Sequence, residues 1–193
     1  MTDSLRLAVI VASTRDGRFG PTVAHWFAGR AEQYGGLRVD LVDVAAHPLP
    51  LTMATSPDAR TSAVLAEVTP RLAGADAFVV VTPEYNHSFP AGLKNLIDWH
   101  YTQWQAKPVG FVSYGGLAGG LRAVEHLRLV FAETHAVTVR ETVSFHNAWD
   151  QFDEDGAPTG RPGADTAAKV LLDQLTWWAE ALRSARTRHP YKA

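Results

Sequence analysis

The chain has 193 residues, 46% of them hydrophobic, 20% charged and 10% aromatic, a balance that excludes disordered, collagen-like and low-complexity proteins. Its 18 basic and 20 acidic residues leave a formal charge of −2, so no nucleic-acid or membrane partner is expected. With no cysteine, disulfides, thiolate nucleophiles, iron–sulfur clusters and cysteine-based zinc sites are excluded.

This length predicts a single domain over residues 1–193. Residues 1–4 carry no basic n-region, and no apolar run approaches the ~20 residues that cross a bilayer, which together predict a cytoplasmic protein. Residues 7–11 (LAVIV) form a short continuous apolar run, as expected of a strand covered on both faces. Gly20-Pro21 opens a helix whose apolar face is Val23, Trp26, Phe27, Ala31 and Tyr34, and Gly35-Gly36 stops it. Leu37–Asp43 mixes polar residues into its pattern and suits a sheet edge. A weaker helix follows over residues 59–72. Residues 77–81 (AFVVV) are a second buried strand, and Pro90 opens a third helix carrying Leu93, Leu96 and Ile97. Residues 109–112 are a third buried strand. Gly119-Gly120 then leads into a helix striped with Ala123, Val124, Leu127, Val130 and Phe131. Residues 138–143 read as a second edge strand. After them comes an irregular loop at 146–165, at about 20 residues longer than ordinary connections and therefore functional, an oligomer contact or mobile. A final helix over about residues 166–186 is expected to bury Val170, Leu171, Leu175, Trp178 and Leu182.

Five β-α units joined by right-handed crossovers predict an α/β fold: a doubly wound, five-stranded parallel sheet with helices on both faces. Placing the polar-interrupted strands outermost selects the order 2-1-3-4-5. Ligands of such sheets sit beyond the carboxyl ends of the strands where the winding reverses. Three loops meet there. In residues 12–22, hydroxyls, two arginines and two glycines stand between a buried strand and a helix N-terminus, which suits a phosphate. The same loop also reads as a turn whose hydroxyls cap the helix. Neither Gly-x-x-x-x-Gly-Lys-Ser/Thr nor Gly-x-Gly-x-x-Gly is present, which argues against a nucleoside triphosphate or a resident dinucleotide. Residues 82–90 (TPEYNHSFP) form a stiff loop whose backbone amides and aromatic edge suit a planar heteroaromatic ligand, or else a capped turn with Tyr85 as a surface aromatic. Residues 113–120 hold four glycines, permitting close backbone approach to a ligand or a flexible link.

Ala-Ser-Thr-Arg after the first strand, Pro-Glu-Tyr-Asn after the third and Ser-Tyr-Gly-Gly after the fourth resemble the NADPH-dependent FMN reductase family of flavodoxin-like proteins. The resemblance runs from about Leu5 to Leu182, and Pro-Glu-Tyr-Asn is its most specific element. It implies FMN, with the phosphate held by Ser13, Arg15 and the turn of Phe19, Gly20, Pro21 and Thr22. The isoalloxazine would lie along Pro83, Glu84, Tyr85 and Asn86, with Ser113, Gly115 and Gly116 on the pyrimidine side. One position departs: Ala12 stands where many members have glycine. The resemblance further implies NADPH or NADH as co-substrate, a small acceptor (flavin, quinone, azo compound or metal oxyanion), and a homodimer or homotetramer. Flavin N5 would carry the hydride, so no catalytic side chain is required and no metal is expected.

Two other readings compete. A flavodoxin-like electron carrier would dock through a strongly acidic face, which the near-neutral charge disfavours. A hydrolase would need Gly-x-Ser-x-Gly around Ser113, and position 111 is Phe. The eight histidines show no tight metal spacing, and His87 either serves the second loop or caps the next helix. Trp99, Tyr101 and Trp104 suggest an acceptor wall, a packing cluster or an interface, and Trp177-Trp178 an anchor for the last helix.

Overall fold

A computed structural model describes residues 4–192. Five strands, β1 (Leu5–Val11), β2 (Leu37–Asp43), β3 (Ala77–Pro83), β4 (Pro108–Gly115) and β5 (Val137–His146), alternate with five helices. These are α1 (Gly20–Tyr34), α2 (Ala59–Gly74), α3 (Ala91–Trp99), α4 (Leu121–Glu133) and α5 (Arg161–Arg188). All strand pairs are parallel, in the order β2-β1-β3-β4-β5. The expected doubly wound sheet is therefore the observed one.

Strand alternation sends the side chains into two cores. Leu7, Val9, Val11, Val79 and Val81 face α1 and α5, whereas Ala8, Ile10, Phe78 and Val80 face the side of α2, α3 and α4. Every residue of β3 is buried, while β2 buries only Val42. This contrast is why the middle strand reads as an unbroken apolar run and the edge does not.

Three expectations need correction. The last helix begins at Arg161, with a proline in its first turn, so the irregular stretch covers only 147–160. Its contact face is Ala168, Leu171, Leu172, Leu175 and Ala179; Val170, Trp177 and Trp178 are exposed at 40%, 63% and 37%. The large apolar residues do not mark the face alone: Ala168 and Ala179, both fully buried, let α5 lie close to the sheet. Nor do Trp99, Tyr101 and Trp104 form one cluster. Trp104 is fully buried against Phe78 and Phe131, Trp99 donates its indole N–H to the Pro50 carbonyl, and Tyr101 packs edge-on to His135 at the surface.

The segment after β5 is ordered by its own contacts. It forms a 3₁₀ turn at Ala148–Asp150 and a bridge between Phe152 and Pro158. Phe152 packs edge-on to Phe19 at 5.2 Å and against Phe145 at 4.9 Å. The loop thereby folds back onto the connection between β1 and α1.

Candidate functional site at the sheet's carboxyl edge

The β1–α1 connection leaves the sheet where the winding reverses. Ala12 is fully buried in the α3-side core, so the methyl group that replaces glycine there is packed. Ser13 follows, also fully buried, and its hydroxyl has no hydrogen-bond partner. The helix α1 is capped by Phe19 without any side-chain hydrogen bond, so the loop's hydroxyls do not cap it. Among the described residues, no carbonyl or side chain accepts from the amides of Thr14, Asp16 and Gly17. A bare helix N-terminus, unclaimed amides and a buried donor hydroxyl are the elements of an anion site.

Gly20 makes this cradle possible. A Cβ there would stand 2.2 Å from Ser13 Oγ and 2.7 Å from Tyr114 Oη. Tyr114 reaches this point from β4; it is 5% exposed and its hydroxyl is also without a partner. Burial pushes its phenol well above the usual tyrosine range, outweighing the neighbouring Ser13 hydroxyl.

The arginines divide by role. Arg18 is spent on structure: it makes two 2.6 Å contacts to Asp43 and donates to the Ser13 carbonyl. Burial works to raise the Asp43 pKa, but Arg18 and the Ala45 amide together hold it below the ordinary value. Arg15 is exposed, lies 3.9 Å over the Tyr85 ring, and pairs with no carboxylate among the described residues. It is the cation this loop offers to an incoming anion.

Residues 84–89 form a tight turn after β3. Tyr85 and Ser88 exchange both backbone hydrogen bonds, at 2.8 and 3.1 Å. Asn86 and His87 between them adopt φ +48° and +72°. Asparagine tolerates that region, whereas histidine adopts it at a cost, and such strain concentrates at ligand sites. His87 does not cap α3, whose N-cap is Pro90; its ring faces His126 at 6.2 Å. The Glu84 amide donates to the Tyr114 carbonyl and so ties the turn to β4. Its carboxylate pairs with Arg122 at 2.5 Å, while Oε2 is buried without a donor.

The glycine-rich connection after β4 is clamped, not loose. Ser113 and Ser144 both donate to the Gly119 carbonyl at 2.8 Å, and Gly119 and Asn147 donate to the Gly116 carbonyl. The Ser113 hydroxyl is thus a fully buried structural donor, bonded to a carbonyl and to no imidazole, which leaves it no nucleophile's role. Gly115 lies beside Glu84 Cβ, and Gly116 beside the Trp149 ring, which is 62% exposed.

The structure therefore brings Ser13, Arg15, Phe19, Gly20, Pro21, Thr22, Pro83, Glu84, Tyr85, Asn86, Ser113, Gly115 and Gly116 to one sheet edge. Sequence reasoning missed Tyr114, Arg122 and Trp149. Tyr114 stood inside a motif valued for its serine and glycines, and nothing in chain spacing signals that Arg122 meets Glu84. No group of three or more metal-ligating side chains occurs among the described residues.

Fold and site together define a flavodoxin-like α/β protein with a candidate anion cradle at the sheet's carboxyl edge. Comparison with known proteins narrows this class. Residues 5–150 match the family described as NADPH-dependent FMN reductase. A probable NADPH:quinone oxidoreductase of Oryza sativa is 34% identical over 175 residues, 87% of this chain and 89% of its own length. An NAD(P)H-dependent FMN reductase of Schizosaccharomyces pombe is 38% identical over 125 residues, 60% of each chain. FerB, a flavoenzyme NAD(P)H:(acceptor) oxidoreductase from Paracoccus denitrificans, superposes with a TM-score of 0.71 at 23% identity, covering 91% of this chain and 98% of its own. The chain belongs to the NADPH-dependent FMN reductase family, and it is an oxidoreductase.

Proposed function

We infer that this protein binds FMN at the carboxyl edge and passes reducing equivalents from NADPH or NADH to a small organic acceptor, with quinones as the acceptor class. The observation that carries the reading is the pairing of an uncapped helix N-terminus, lined by an orphaned serine hydroxyl, with a strained turn one strand away. FMN, when bound, supplies the hydride-accepting and hydride-donating chemistry.

The chain's own residues hold and orient it. Ser13, the unpaired Arg15 and the Phe19–Thr22 turn at the start of α1 would take the phosphate, with helix dipole and guanidinium acting together. Pro83, Glu84, Tyr85 and Asn86 would line the ring, because a rigid turn presents amides at fixed angles. Ser113, fixed by its bond to Gly119, would stand with Gly115 and Gly116 on the pyrimidine side. Near them the N-terminus of α4, capped by Gly120, favours negative charge at this edge. The exposed Trp149 and Leu117 offer an apolar rim on which an aromatic acceptor can rest.

Family resemblance supports a homodimer or homotetramer, which sedimentation would count. The cytoplasm, where pyridine nucleotides are kept reduced, is the compartment this chemistry fits. The deciding experiment is anaerobic titration of FMN-loaded protein with NADPH and then NADH. Bleaching of the flavin band by either, reversed by a benzoquinone, is the expected outcome. Bound flavin that neither nucleotide bleaches would end the reading.

A further inference from the structure

Tyr114 has no part in the assignments above, yet its position calls for one. The neighbours of its ring are apolar, Phe19 among them at 6.1 Å, and phenylalanine would fill the same volume. Burying a phenol without a partner works against folding. The hydroxyl nevertheless ends beside Ser13 Oγ, against Gly20 in the first turn of α1. Two buried hydroxyls, close enough to influence each other but with no carbonyl or carboxylate to take their protons, flank the positive end of a 15-residue helix. What would satisfy both is an oxyanion seated at that turn.

We propose that Tyr114 is a phosphate ligand of the cofactor, its phenol donating jointly with Ser13 to the terminal phosphate group. This rests on the FMN reading and extends the phosphate site from the β1–α1 loop to β4. Three elements, β1, α1 and β4, then converge on one group. Gly20 is the residue whose missing side chain leaves room for them.

The test compares Tyr114→Phe with the unaltered chain, reading flavin binding by fluorescence quenching and the melting temperature of flavin-free protein. FMN affinity is expected to fall about tenfold in the variant, since a charge-assisted hydrogen bond is lost. Riboflavin, which has the same ring and no phosphate, should bind both proteins equally. The flavin-free variant should melt at or above the temperature of the unaltered chain, because the orphaned hydroxyl is gone. Ser13→Ala should show the same FMN-selective loss. Unchanged FMN affinity in Tyr114→Phe would overturn the assignment while leaving FMN binding intact. A parallel loss of FMN and riboflavin would overturn it too, by showing that the ring acts through packing. Failure of the unaltered chain to bind FMN at all would overturn the functional reading and this proposal together.

Discussion

Gly120 and Gly17 both have positive φ, at +84° and +62°, but only one is crowded. A Cβ on Gly17 meets nothing within 4 Å, whereas one on Gly120 would stand 2.7 Å from Ser13's counterpart on β4, Ser113 Cβ, and 2.9 Å from the Tyr114 amide. Alanine at Gly17 should therefore cost only the left-handed backbone penalty, about 1 kcal/mol. At Gly120 it must also displace strand backbone, raising the cost to roughly 3 kcal/mol. For a chain of this size these correspond to melting shifts of about 2–4 °C and 6–12 °C, readable by circular dichroism. Equal shifts would show that the Gly120 turn yields freely. At this scale the sequence disclosed residue types but not partners. Arg15 and Arg18 are three positions apart in one loop. Only the fold decides that Arg18 meets Asp43 while Arg15 covers Tyr85.

Elements were more legible than pairings because periodicity is a property of neighbours in the chain. Leu37–Asp43 has in the structure the bounds its pattern predicts, and β4 outruns its apolar stretch because strand pairing continues into Ser113-Tyr114-Gly115. The segment after β5 was opaque because its order comes from Phe152 meeting Phe19 across the molecule. Lys107 shows the same dependence on distant partners. It is buried just before β4 begins, and its ammonium group donates to the Leu72 and Ala73 carbonyls at the end of α2. Burial, aided by Arg186 and Arg6 and opposed by Asp76, lowers its pKa from 10.5 to about 8. Below pH 8 both folded and unfolded chains hold the proton, and the folded state bears the whole cost of a buried charge. Between about pH 8 and 10 the unfolded chain binds more protons, so this group's contribution to stability rises with pH. Urea midpoints of the unaltered chain should gain on those of Lys107→Met across that window. A difference that stays constant with pH would mean that the lysine titrates like a surface amine.

Over the whole molecule, the sheet order followed from which strands tolerate polar residues, because an edge strand has one neighbour and a central strand two. The two cores share that sheet, with Val9 and Ile10 adjacent in the chain and on opposite sides of it. Neither core can be lost without exposing the other's strands, so melting should be a single transition with equal calorimetric and van't Hoff enthalpies. FMN should raise its midpoint, because a ligand that binds only the folded chain stabilises it by about 2.7 kcal/mol at a hundredfold excess over Kd. For a chain of this length that is a shift of roughly 5–11 °C. Riboflavin at the same molar excess should shift it less, by the share of affinity that the phosphate cradle contributes. Two resolved transitions would show that the strands flanking the winding reversal unfold separately. The cofactor site would then lie on a seam between units, not on one continuous sheet.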